Sequence, residues 1–127
     1  MRRYSKADGS WINVAGTASQ GYVDWIGAEA WFSDVVGLGS DGTNIWVADG
    51  TNYRVRKGAP ASSLPSAQPA SATSTLGILP GWTRTFAGSG TSATVDGTGT
   101  AASFKSMEGI VAVNGFAYVA ATTPRGI

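Results

Sequence analysis

The 127-residue chain contains no cysteine and no histidine. Those two absences remove disulfides, thiolate nucleophiles, imidazole general bases and the usual ligands of zinc, copper and haem. A cysteine-free chain suits any redox compartment, so its location is not read from thiols. Charge is sparse as well, 13% of residues, with nine Lys plus Arg against eight Asp plus Glu. No broad field is available to hold a polyanion or an anionic lipid surface. Basic residues cluster only at Arg2-Arg3 and Arg54-Val55-Arg56-Lys57, too briefly for the basic stripe of a nucleic-acid binder. No apolar run reaches the roughly 18 residues of a membrane span, and MRRYSKADGS turns polar before any signal-peptide core develops. The expectation is no membrane span and no visible export signal; an extracellular product requires one that was removed or lies upstream. Sustained helical stripes are missing too, while 43% apolar content calls for a packed core.

What the chain does have is self-similarity. Phe104 to Ala121, FKSMEGIVAVNGFAYVAA, repeats in weaker form Phe32 to Asp49, FSDVVGLGSDGTNIWVAD. A gapless shift of 72 positions lays Val14–Val55 over Phe86–Ile127, with 11 identities in 42 positions. Most of those identities are glycines and core-sized apolar residues, with one turn aspartate, Asp24 over Asp96. Fixed-period similarity of this kind marks a supersecondary unit that buries its apolar faces only by stacking on its neighbours.

Along the chain, Ala7-Asp8-Gly9-Ser10 is a turn leading into a short strand at Trp11–Ala15, and Thr17–Ala30 reads as a loop pinned by aromatics. Val35–Ser40, the turn Asp41-Gly42-Thr43-Asn44 and Ile45–Ala48 form a hairpin. In its return strand Ile45 and Val47 face one way and Trp46 and Ala48 the other, so both faces are expected to be covered. Tyr53–Lys57 alternates so that Arg54 and Arg56 share a face, which reads as solvated. Between Gly58 and Thr75 the composition becomes Ala, Ser, Pro and Thr without a single charge, an extended insertion in which Pro60, Pro65 and Pro69 exclude a ladder strand. Its candidate O-glycosylation sites are Ser62, Ser63, Ser66, Ser71, Thr73, Ser74 and Thr75, beside the plainer reading of an undecorated linker. Trp82–Ala87 is a strand of the Trp11 kind, and Ile110–Val113, Asn114-Gly115 and Phe116–Ala120 form a second hairpin. The glycines at 88, 90, 97 and 99 read as turn formers, since no Lys-Ser/Thr follows them as in a phosphate loop.

Ala87-Gly88, Asp96-Gly97-Thr98-Gly99, Phe104, Gly109-Ile110 and Tyr118-Val119-Ala120 together resemble the NHL repeat of β-propellers. Phe32, Gly37-Leu38, Trp46-Val47-Ala48-Asp49 and Asn52-Tyr53-Arg54-Val55-Arg56-Lys57 are similar to the same pattern. Four features depart from it: Trp25 stands where glycine is usual, Ala121 replaces the aspartate seen at Asp49, 122–127 lack the Arg-Lys strand end, and the insertion is longer than a typical connection of that repeat. The resemblance implies an all-β fold of antiparallel four-stranded blades. Residues 1–16 would end a preceding blade, 15–58 form a first repeat, 59–81 an insertion, and 82–127 a strand plus a truncated second repeat. A propeller takes roughly four to eight blades, so the expectation is a partial ring, completed either by further blades of a longer propeller or by other copies of this chain in a homo-oligomer, the Trp11 strand of one molecule completing the open blade of another. Within it Asp49 is implied to tie its turn and pair with Arg54 or Arg56, a structural role.

For function, the resemblance implies a non-catalytic interaction or scaffold module, with Tyr22, Trp25 and Trp31 as candidate protein or carbohydrate contacts beside their plainer reading as core plugs. One alternative is a glycosylated structural subunit of an extracellular oligomer or filament; the Ser/Thr/Pro tract leans the compartment that way. Another is a fragment of a propeller hydrolase or lyase, although the lyase sites of such propellers rely on histidines absent here. Asp24, Asp34, Asp96, Glu29 and Glu108 are dispersed over separate repeats, a pattern of solvated or turn-capping acids rather than of a calcium site. No cofactor, metal, nucleic acid or catalytic residue is expected.

Overall fold

The structure, a computed structural model, describes residues 1–59 and 82–122. Its described residues form nine strands and two single 3-10 turns, with no α-helix. In chain order the strands are β1 (Arg2–Tyr4), β2 (Trp11–Asn13), β3 (Trp25–Ile26), β4 (Val35–Ser40), β5 (Ile45–Asp49), β6 (Arg54–Ala59), β7 (Trp82–Ala87), β8 (Met107–Val113) and β9 (Phe116–Ala121). A five-stranded antiparallel sheet has the order β3-β7-β6-β5-β4; β1-β2 and β8-β9 are separate two-stranded pairs. No helix among the described residues is long and apolar enough to cross a membrane.

Local chemistry accounts for the hairpins. At the β4–β5 turn the Asp41 carboxylate accepts the backbone N–H groups of Thr43 and Asn44 at 2.9 and 2.6 Å, and Gly42 takes a φ of 90° that a side chain would strain. Asn114 and Gly115 both have positive φ between β8 and β9, the geometry a two-residue hairpin needs to follow strand twist. In the β1–β2 turn Asp8 accepts from the Ser10 N–H and hydroxyl, and the Tyr4 and Trp11 rings meet at 4.9 Å.

The core lies between the five-stranded sheet and the β8–β9 hairpin. Trp46, Ala48, Val55 and Met107 are buried together, and Ile110, Ala112, Ala117 and Val119 pack onto them. Glycine makes the approach close: a Cβ on Gly37 would sit 2.9 Å from Gly109 Cα, and one on Gly39 would sit 3.1 Å from Ala112 N. The sheets therefore meet backbone to backbone. Trp46 to Asp49 are all buried, as expected of a strand covered on both faces; Ile45 remains partly open.

The sequence period is also a structural period. Gly37↔Ala48, Leu38↔Val47, Gly39↔Trp46 and Ser40↔Ile45 recur 72 residues later as Gly109↔Ala120, Ile110↔Val119, Val111↔Tyr118 and Ala112↔Ala117. The register irregularity at Val35/Gly37 returns at Met107/Gly109. The 3-10 turns Gly27–Glu29 and Gly99–Ala101 are equivalent, as are the bridges Val23↔Trp31 and Val95↔Ser103.

Three expectations need correction. Thr17–Ala30 is not only loop: Trp25 and Ile26 pair with Thr83 and Trp82 on the outer edge of β7, a partner some 57 residues away that local periodicity cannot reveal. The Arg54/Arg56 face is not solvated, because Arg56 is fully buried and Arg54 partly so. Strand β6 also starts at Arg54, since Tyr53 sits at φ 52° in the preceding turn.

Candidate functional site

The densest polar cluster surrounds Arg56. Its Nη1 donates to Asp49 Oδ2 at 2.7 Å and to the Trp31 carbonyl at 2.9 Å, its Nε to Asp24 Oδ1 at 2.9 Å, and its Nη2 to the Val23 carbonyl at 2.7 Å. Asp49, equally buried, also accepts from the Ser33 N–H at 2.8 Å and Asn52 Nδ2 at 2.9 Å. Both charges are out of water and their polar atoms are served, which is what allows an ion pair to persist in a core. Phe32 and Tyr22 lie against the guanidinium, with ring centroids 4.9 and 5.1 Å away. The cluster rivets segment 22–32 onto β5 and β6. With all its groups internally satisfied, it leaves no vacant donor set for a ligand.

The aromatic candidates divide. Tyr22 is exposed at one edge, yet its ring lies under Arg54 at 4.1 Å and its hydroxyl bonds Asp24 and Thr85. Trp25 is half-buried in β3, and Trp31 is more exposed, its backbone paired with Val23. Tyr22 and Trp31 gather at the Arg56 cluster, Trp31 through its carbonyl; Trp25 belongs to the β7 edge. Arg54 donates to the Ser89 carbonyl rather than to Asp49. Ser62, Ser63, Ser66, Ser71, Thr73, Ser74 and Thr75 lie outside the described residues. No group of three or more acidic residues among the described residues could hold a metal ion.

Open sheet surface is the other distinctive feature, and sequence reading did not locate it. On β8–β9, Val111, Val113, Phe116 and Tyr118 share the face turned away from the core; Phe116 is 66% and Tyr118 57% exposed. Alternation in each strand would have marked this face, but not that nothing in the described structure covers it. At the opposite end of the molecule Leu38 is 53% exposed, and a cleft of about 300 Å³ separates it and Ile45 from Met1, Arg2 and Arg3. The outer edges of β1 and β9 pair with no strand among the described residues. Apolar sheet faces and bare edges are the surfaces on which strands from elsewhere dock.

Two aspartates are tuned by turn geometry. Hydrogen bonds from the Asn44 backbone, the Trp46 indole and other turn donors hold the Asp41 carboxyl well below the usual carboxylate range. Asp8, bonded by Ser5 and Ser10, is lowered to about 2. Both are fully exposed and serve as turn locks rather than proton donors.

Compared with known proteins, the chain matches no protein-family model, no curated protein and no solved structure. Its described residues define an architecture of their own: all-β, with an antiparallel five-stranded sheet, a 72-residue structural period, and apolar sheet faces on β4–β5 and β8–β9 that no other described residue covers.

Proposed function

We propose that this chain is a non-catalytic scaffold: a wedge of a β-propeller of the NHL-repeat type, built to pack with further blades and to present a rigid surface to other molecules. One observation carries the reading. The β8–β9 hairpin lies face to face on β4–β5 in the same register as β4–β5 itself, as successive blades of a radial stack do. Strands β4 to β7 then make one four-stranded blade, β8–β9 the inner half of the next, and β1–β2 the outer half of the one before. Catalysis is not part of the proposal, because the densest polar cluster among the described residues is consumed in holding β5, β6 and segment 22–32 together.

Negative-stain imaging with multi-angle light scattering tests this. Ring-shaped particles several times the 13.0 kDa mass of one chain are the expected outcome. A dispersed monomer at all concentrations, or turnover of ester, glycoside or peptide substrates, overturns it.

A further inference from the structure

Which molecule completes the two half-blades can be argued from register. Within the complete sheet, β6 and β7 pair as Val55↔Ala87, Arg56↔Thr85, Lys57↔Arg84 and Gly58↔Thr83. In β1–β2 the pairs are Arg2↔Asn13, Arg3↔Ile12 and Tyr4↔Trp11, and Met1 exchanges backbone hydrogen bonds with Ala15. Since Asn13 and Ala15 lie 72 residues before Thr85 and Ala87, Met1-Arg2-Arg3-Tyr4 occupies the places of Val55-Arg56-Lys57-Gly58. The missing neighbour of β1 is thus a strand equivalent to β5. Strand β9 is that strand, with the same period and its own outer edge bare.

We infer that a second copy of this chain fills the gap: β1 of one copy pairs antiparallel with β9 of another, so that β8–β9 and β1–β2 from two molecules form one four-stranded blade. This rests on the scaffold reading above. Transferring the β5–β6 register, Trp46↔Lys57 and Val47↔Arg56, places Tyr118 opposite Arg3 and Val119 opposite Arg2.

Charge supports the match independently. Arg56 is held by Asp24 and Asp49 in the complete blade; in the next repeat Asp96 is the equivalent of the first, while Ala121 replaces the second. Asp96 is exposed and neither it nor Arg2 has an ion pair among the described residues. Docking brings Arg2 of one copy to Asp96 of the other. In the same way Lys57 lies over the Trp46 ring at 5.4 Å, and its counterpart is Arg3 over Tyr118. The faces agree too. Val111 and Tyr118 of the incoming hairpin come to rest on Leu38 and Ile45, filling the cleft beside β1 and covering the apolar groups exposed at both ends. Segment Gly97–Thr98, the equivalent of β3, forms no strand in the isolated chain; β2 of the second copy supplies the edge it lacks. Each chain then contributes eight strands to the blades, two blades per copy, and a ring of about four to eight blades holds two to four copies.

The cysteine-free sequence permits a clean crosslinking test. Arg3→Cys and Tyr118→Cys proteins, mixed and mildly oxidised, are expected to form a disulfide-linked pair. Arg3→Cys with Val119→Cys, which points to the other face, is not. Separately, Arg2→Asp and Asp96→Arg should each weaken association at least tenfold, and the mixture of the two single variants should regain what each has lost, circular dichroism showing that each variant keeps its sheet. Equal crosslinking of both combinations, none from either, or association untouched by the charge reversals overturns the pairing. If rings persist in that case, the scaffold reading survives without it; a monomer under every condition sinks both.

Discussion

Replacing Asp49 with alanine removes one partner from a fully buried ion pair and leaves Arg56 charged inside the sheet. Breaking such a pair costs about 3–5 kcal/mol. Asp24 remains beside Arg56, but its side chain is 32% exposed, so its compensation is nearer the ~1 kcal/mol of a surface bridge. The Ser33 N–H and Asn52 Nδ2 also lose their acceptor, which places the net cost in the upper part of that range. A domain has about 5–15 kcal/mol in total, so the variant sits close to unfolding. With a urea slope of about 2 kcal/mol/M, the midpoint should fall by about 2 M. Fluorescence of the five tryptophans follows the transition, at one fixed protein concentration because association raises apparent stability. Removing both charges, Asp49→Leu with Arg56→Met, should recover part of the loss, since no unpaired charge stays fully buried; Asp24, 32% exposed, keeps contact with water, while the orphaned Ser33 N–H and the Trp31 and Val23 carbonyls keep the recovery about 1–3 kcal/mol short. A midpoint shift below about 0.5 M for Asp49→Ala, or a double variant no better than the single, would refute the reasoning.

In the dissociated chain, at a dilution where light scattering shows single copies, Gly37→Ala is expected to cost about 1–3 kcal/mol, because its Cβ would meet the Gly109 backbone, while Gly109→Ala, whose Cβ meets nothing within 4 Å in its own chain, should be nearly silent; urea midpoints compare them, and equal costs there would contradict the backbone-to-backbone stacking. Asp41 has its pKa depressed in the folded chain, so its contribution to the turn is fully present above the ordinary carboxylate pKa of about 4 and is lost as pH falls below it. The Trp46 indole N–H, which donates to Asp41 at 2.8 Å, should report this as an NMR shift on acidification that Asp41→Asn abolishes; an identical titration in the variant would count against the turn lock.

Residues close in sequence wrote their own structure legibly. The two hairpins and the 72-residue period followed from turn formers set between apolar runs, because a turn is decided by a few neighbouring dihedrals and hydrogen bonds. Repetition also announced that some face must be stacked, as the Gly37–Gly109 approach then shows. Arg56 was misread for the opposite reason. Alternation says that it shares a face with Arg54, but whether water or Asp49 and Asp24 meets that face depends on how segment 22–32 folds back across the sheet.

By itself, then, the amino-acid order determined an all-β chain, its hairpins and its internal period, since each rests on short-range backbone geometry and on the two-residue alternation of strands. Only the tertiary structure decided that Arg56 is buried, that Trp25 and Ile26 form an edge strand, and that Val111, Phe116 and Tyr118 are left bare. Burial and edge pairing depend on what the rest of the chain brings alongside, and a linear pattern records the face a residue takes but not its neighbour across the gap.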